Sequence, residues 1–289
     1  MKKIVSIFVA MLTLFSCEYK VSLPESPQQI VVEGWIEDGG FPVVMVTTTV
    51  SITETFSDIS QLKDHVVNWA KVTVSDGDRD VVLIGQKNDD YFPPYIFTTT
   101  ELIGEAGKSY RLKVEYSGRT VTATTSVPSP KKLEYIKVRQ AKDNDGMFYL
   151  IGGLRDDPQT KDYYKVFTKV SRKDSTYVSS FMGLTDDEIL EEGIDEIVIN
   201  NGTGKIGKFI EAYFTEEDFV SVRFSSLDRQ SWMFWSDYEE VQALTSSPIF
   251  TVSTNIRSNI KGGLGYWAGY GSTYYKVNIP DSLSLGRVY

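Results

Sequence analysis

Tyr110-Arg111-Leu112-Lys113-Val114-Glu115-Tyr116 alternates apolar and charged residues without a break. Successive side chains of an extended chain point to opposite faces, so this stretch is a strand with one face buried and the other wet. Similar short runs lie on either side of it: Ile30 to Ile36, Val43 to Val50, Ala70 to Ser75, Val81 to Gly85, Tyr95 to Thr100 and Thr120 to Val127. Turn-forming residues separate the runs, among them Asp38-Gly39-Gly40, Asp76-Gly77-Asp78, Glu105-Ala106-Gly107 and Ser117-Gly118. Seven short strands in about 100 residues predict a β-sandwich of immunoglobulin-like type. Ser60 to Trp69 breaks the rhythm and is expected to form a short helix or an ordered loop.

Pro128-Ser129-Pro130 followed by Lys131-Lys132 is the clearest linker, because prolines so spaced neither continue a helix nor sit in a central strand. A domain boundary is expected there. The second half offers extended runs at Leu133 to Val138, Phe148 to Leu154, Tyr163 to Val170, Thr176 to Phe181, Glu196 to Ile199, Phe219 to Phe224, Phe250 to Ser253 and Tyr274 to Ile279. Thr185-Asp186-Asp187-Glu188 fits a capping box, with Gly193 as the stop of a short acidic helix. A longer helix is expected from about Arg229 to Leu244, with Asp228 as N-cap and Phe234, Trp235, Tyr238, Val241 and Leu244 on one broad face. The expected fold class is therefore mainly β: an immunoglobulin-like β-sandwich domain over residues 29–128, and a second β-rich domain over 129–289 with one or two helices.

The N-terminus has a different character. Lys2 and Lys3 precede an apolar run from Ile4 to Phe15, the plan of a secretory signal, and the run is too short for a stable membrane span. Leu14-Phe15-Ser16-Cys17 resembles the bacterial lipobox, in which the cysteine sulfur takes a diacylglyceryl group before cleavage in front of it. Residues 1–16 are expected to be the signal peptide, Cys17 the lipid attachment site, and 17–28, with Pro24 and Pro27, an extended tether. Two or three fatty acyl chains, palmitate among them, make such attachment effectively permanent. Cys17 is the sole cysteine, which excludes an intramolecular disulfide.

The chain carries a net charge of −9, and loss of Lys2 and Lys3 with the signal takes it to −11, which argues against nucleic acid as a partner. His65 is the single histidine, no Gly-x-Ser-x-Gly elbow accompanies it, and the inventory excludes His/Cys zinc sites. Asp143-Asn144-Asp145-Gly146 resembles the opening of a calcium loop, but Gly152 stands where the bidentate Glu would fall, so a hairpin turn is preferred. Asp76-Gly77-Asp78-Arg79-Asp80 reads the same way. No two carboxylates stand out as an acid and base pair, and the glycine-rich runs lack the partners of a phosphate loop. No catalytic residue, cofactor or metal is expected, and an enzyme is not the preferred reading.

Aromatic residues carry more of the signal. Tyr91-Phe92-Pro93-Pro94-Tyr95, Trp232-Met233-Phe234-Trp235 and Tyr266-Trp267 with Tyr270 are groups able to stack sugars or anchor a protein partner. Trp232, Trp267, Tyr266 and Tyr270 are the candidate interface residues, and Trp232 and Met233 lie off the main face of their helix.

Asn259-Ile260-Lys261-Gly262-Gly263-Leu264-Gly265-Tyr266-Trp267 is similar to the signature of a Bacteroidota lipoprotein family, domain of unknown function 4249. Val31-Val32-Glu33-Gly34-Trp35-Ile36, Ala70 to Asp76, Tyr110 to Val114 and the aromatic helix fit that family too. Trp267 stands where phenylalanine is more usual. The resemblance implies an outer-membrane lipoprotein, lipid-anchored on either the surface or the periplasmic face, often encoded beside a SusC-like TonB-dependent receptor. The expected function is that of an accessory or ligand-capturing partner of such a transporter in nutrient uptake. The alternative is a stand-alone surface module that binds carbohydrate or peptide, with a hydrolase a distant third.

Overall fold

The computed structural model describes residues 28–50, 63–142, 146–155, 157, 159–186, 194–202, 212–245 and 256–279. The signal and tether with Cys17, the Asp143-Asn144-Asp145 loop, the acidic stretch 187–193 and the run Phe250 to Ser253 lie outside those residues. Thr185 and Asp186, expected to open a helix, are instead the last residues of a strand.

The first half comprises β1 (Ile30–Glu37), β2 (Val43–Thr48), β3 (Lys71–Ser75), β4 (Asp80–Val82), β5 (Ile84–Lys87), β6 (Tyr95–Thr98), β7 (Ser109–Tyr116) and β8 (Arg119–Ser126). Two antiparallel layers form, β1-β2-β6-β5 and β4-β3-β7-β8, which is the strand arrangement of an immunoglobulin-like sandwich. The expected run Val81 to Gly85 is two strands, because buried Leu83 turns the chain from one layer to the other. Tyr110 makes the corner typical of such sandwiches: its hydroxyl accepts from the Glu105 N–H at 2.9 Å and donates to the Ile103 carbonyl at 3.4 Å. In the irregular stretch before β3, Lys63 to His65 form a single 3-10 turn.

The second half comprises β9 (Leu133–Gln140), β10 (Met147–Arg155), β11 (Tyr163–Val170), β12 (Val178–Asp186), β13 (Ile194–Ile199), β14 (Phe214–Thr215), β15 (Phe219–Leu227), a helix α1 (Arg229–Thr245) and β16 (Leu264–Asn278). Strand β10 pairs with β9 on one side and with β13 and β14 on the other. Asp228 caps α1 as expected, its Oδ1 accepting from the Ser231 N–H at 2.8 Å. Its Oδ2 also accepts from the Thr125 hydroxyl at 3.0 Å, which ties the helix start to β8.

The halves are joined by β16, which pairs parallel with β1 and antiparallel with β15. The result is one eight-stranded sheet, β12-β11-β15-β16-β1-β2-β6-β5. The expected boundary after residue 128 falls between β8 and β9, yet the sheet runs through both sides of it. One face of this sheet is covered twice. The β3–β8 layer buries Val32, Ile36, Val44 and Trp267, and the β9–β10 layer buries Val166, Val222, Phe224 and Val277. The opposite face carries α1 and a third, aromatic cluster around Trp235, Tyr266 and Tyr270.

Candidate functional site

Alternation along the central strands decides what this third face presents. In β1, Ile30, Val32 and Ile36 go to the sandwich core, which turns Glu33, Trp35 and Glu37 to the other side. In β16, Trp267, Tyr275 and Val277 are core, which turns out Tyr266, Tyr270 and Tyr274. Arg223 of β15 and Phe167 of β11 point the same way. Together with Trp235 and Tyr238 of α1 and the loop carrying Tyr91, these side chains enclose a cleft of about 660 Å³. Its size is that of a small-molecule or short-peptide site.

A charged knot occupies one part of the cleft. Arg223 is 7% exposed, and its guanidinium lies over the rings of Phe167 (4.0 Å), Tyr270 (5.2 Å) and Tyr177 (5.3 Å). Its terminal nitrogen is 3.7 Å from Glu37 Oε2, which also accepts from the Tyr274 hydroxyl at 2.7 Å. Burial opposes the arginine charge, but Glu37 and the oxygens of Tyr274, Tyr270 and Tyr177 outweigh it and hold the group protonated. Nε of Arg223 has no hydrogen-bond partner. Burial also raises the phenols of Tyr270 and Tyr274 above their usual range, so both remain donors at neutral pH.

Glu33 is different. Solvent reaches it through the cleft, and the Tyr266 hydroxyl donates to its Oε1 at 3.0 Å. The protein packed around it raises its carboxyl above the ordinary value, with the Tyr266 hydrogen bond opposing. That same carboxylate and burial push the Tyr266 phenol well up, burial being the larger cause.

Behind the cleft, α1 is fixed to the sheet by a buried pair. Lys165 of β11 is 0% exposed, its ammonium bonded to Glu239 of α1 and set over the Trp235 ring at 5.1 Å. Burial lowers the Lys165 pKa and Glu239 opposes the shift. Trp235 Nε1 donates to the Tyr270 hydroxyl at 3.1 Å, and Phe234 packs on Tyr266 with centroids 4.2 Å apart.

The four residues singled out in the sequence are dispersed by this geometry. Trp267 is 0% exposed, and its Nε1 donates to the Tyr110 carbonyl at 3.0 Å inside the sandwich. It has no surface to offer a partner, because alternation along β16 puts odd-numbered residues in the core. Tyr266 and Tyr270 line the cleft, while Trp232 is half-buried against Tyr163 at 5.1 Å. Sequence reasoning missed Glu33, Glu37 and Arg223. The available signal was charge at every fourth position of an apolar strand, and a lone arginine inside the run Phe219 to Phe224. It also passed over Trp69, which is 91% exposed. Asp76 forms a hairpin turn, its Oδ1 accepting from the N–H groups of Asp78 and Arg79. Among the described residues no group of three or more His, Cys, Asp or Glu is placed to hold a metal ion.

A family model described as a domain of unknown function, DUF4249, matches residues 17–276. The chain is a DUF4249 protein. No functionally curated protein matches it. In this DUF4249 chain the block Asn259 to Trp267 holds the fold together. Asn259 pairs through its side chain with both backbone groups of Trp267, at 2.8 and 2.9 Å. Lys261 exchanges two backbone hydrogen bonds with Thr122 of β8. Gly263 and Gly265 sit so close to β1 that a Cβ would lie 2.5 Å from the Ile30 carbonyl oxygen and 1.8 Å from that of Val32. The block that carries the family likeness therefore joins the two halves, while the residues that follow it, Tyr270 and Tyr274, supply a wall of the cleft.

Proposed function

We propose that this DUF4249 protein is a lipid-anchored, ligand-capturing lipoprotein of the outer membrane that serves a SusC-like TonB-dependent transporter in nutrient uptake. The observation that carries the capture role is the cleft: a concave, ring-lined site with fixed polar groups, built on six adjacent strands of the large sheet, β12 to β2. Its walls belong to paired strands and a capped helix, and a site held rigid loses little freedom when it binds. The anchor rests on the lipobox-like Leu14 to Cys17, and the transporter partnership on the company that the family keeps. Tethering both partners to one membrane raises their effective concentration, so a modest interface suffices.

Because one chain supplies the described cleft, a stand-alone binding module is the second reading. Affinity purification of the lipidated protein from detergent-solubilised native membranes separates the two. A TonB-dependent receptor should co-elute. Its absence, in detergent that preserves a known transporter complex, would overturn the partnership and leave the stand-alone module. The anchor is tested by Cys17→Ser, which should abolish incorporation of a labelled fatty acid and release the exported protein from the membrane. Persistent label would refute the lipid attachment.

A further inference from the structure

The charges around the cleft are unevenly matched. Arg223 faces Glu37 at 3.7 Å, Lys165 is bonded to Glu239, and the Lys169 ammonium is held by the Ser175 carbonyl at 2.6 Å. Each cation therefore has an acceptor. Glu33 has only the Tyr266 hydroxyl, and among the described residues no Lys or Arg pairs with it. That carboxylate opens into the cleft, with Tyr266 bonded to it and the rings of Tyr238, Trp235 and Trp35 in the lining of the same cleft. Ring faces carry negative quadrupole potential, so a carboxylate among them is completed by an organic cation and not by a second anion or a neutral chain. Its raised carboxyl pKa fits a group held without a counter-charge.

A second observation points to the other end of the ligand. Arg223 is almost wholly buried in the cleft wall, and its terminal nitrogen stands 3.7 Å from Glu37, close enough for charge attraction but too far for a hydrogen bond. A guanidinium so placed gains a hydrogen bond when a carbonyl or carboxylate oxygen of a bound molecule comes to its terminal nitrogens. Glu37, the partner of Arg223, and Glu33 stand four residues apart on one strand, roughly 13 Å at the usual rise. That is the span of a tri- or tetrapeptide.

Resting on the reading of the cleft as a capture site, we infer that its ligand is a short peptide whose basic side chain reaches Glu33 and whose main-chain or terminal oxygen meets Arg223. The ammonium or guanidinium group supplies the missing cation, the peptide oxygen supplies an acceptor, and Trp35 and Tyr91, whose rings touch with centroids 6.1 Å apart, form one wall beside the backbone.

Calorimetric titration of the mature protein in detergent tests this with three probes: Ala-Lys-Ala, Ala-norleucine-Ala and a neutral glucose trisaccharide. The lysine peptide should bind about tenfold or more tightly than the norleucine peptide, the scale of one charge-assisted contact. Glu33→Gln should erase that difference while leaving the unfolding midpoint no lower, and added salt should weaken the lysine peptide more than the norleucine peptide. Equal affinity for the two peptides, preference for the sugar, or binding of none of the three would overturn the inference. Sugar binding that Trp35→Ala abolishes would overturn it too, while keeping the capture reading. Ligand binding indifferent to Trp35→Ala would remove the cleft itself from consideration.

Discussion

Replacing Gly265 with alanine tests the junction on which the molecule depends. Gly265 has φ +103°, a region that side chains rarely adopt, and an added Cβ would lie 1.8 Å from the Val32 carbonyl oxygen. Two other glycines separate these effects. Gly39, in the β1–β2 turn, has φ +74° with nothing within 4 Å of the added atom, so Gly39→Ala pays for backbone strain alone, about 1–2 kcal/mol. Gly269 carries only the steric conflict, its Cβ falling 2.1 Å from the Ser126 carbonyl oxygen, and overpacking of that kind costs about 1–3 kcal/mol. Gly265→Ala combines strain and overlap against the backbone of a central strand paired on both sides, which gives about 2–5 kcal/mol. Against a total stability of about 5–15 kcal/mol, that is a large fraction. Urea unfolding of the three variants, followed by tryptophan fluorescence, should rank them Gly265 worst, with the other two close together. If Gly265→Ala costs no more than Gly39→Ala, β16 does not approach β1 as described, and the account of the family block fails.

Trp267→Ala should cost about 3–5 kcal/mol, because it empties the centre of the sandwich and frees the Tyr110 carbonyl, whereas Trp69→Ala, open to solvent, should stay within about 0.5 kcal/mol; thermal unfolding decides. Glu239→Gln leaves Lys165 buried without its carboxylate and should cost about 3 kcal/mol at neutral pH, while replacing both partners, Lys165→Met with Glu239→Leu, should be nearly neutral. Lys165 has its folded pKa below the ordinary lysine value, so the penalty in Glu239→Gln is full below the folded pKa and shrinks, relative to wild type, as pH rises towards about 10.4. Chemical denaturation of wild type and Glu239→Gln at several pH values will show this.

Local patterning made the sandwich legible. Strict alternation in Tyr110 to Tyr116 and glycine turns at Gly39, Gly77 and Gly118 depend on neighbours in sequence, and β7, β8 and their hairpin follow directly. Asp228 and the periodic aromatics likewise announced α1. The long strand β16 was not legible as such. Its first half, Leu264 to Gly271, is rich in glycine and reads as a loop, and what makes it a strand is pairing with β1, more than 230 positions away. The cleft shared that fate. Glu33 and Glu37 look like the wet face of an edge strand until β16 and β15 are laid beside β1, and only then do Tyr266, Tyr274 and Arg223 close around them. Trp267 was misjudged for the same reason: its burial is decided by residues of the other half.

The dependence of the first sandwich on Trp267 and Ile260 also bears on when the protein can fold. A chain emerging N-terminus first will have all eight sandwich strands available long before these two side chains arrive, and until then the layers have an unfilled centre and β1 an unpaired edge. Contacts so distant in sequence are slow to form, and an open strand edge with exposed apolar surface is what chaperones bind and what aggregates otherwise. The same late closure means that nothing short of the nearly complete chain acquires the cleft, so a truncated or prematurely released product has no site with which to compete for ligand.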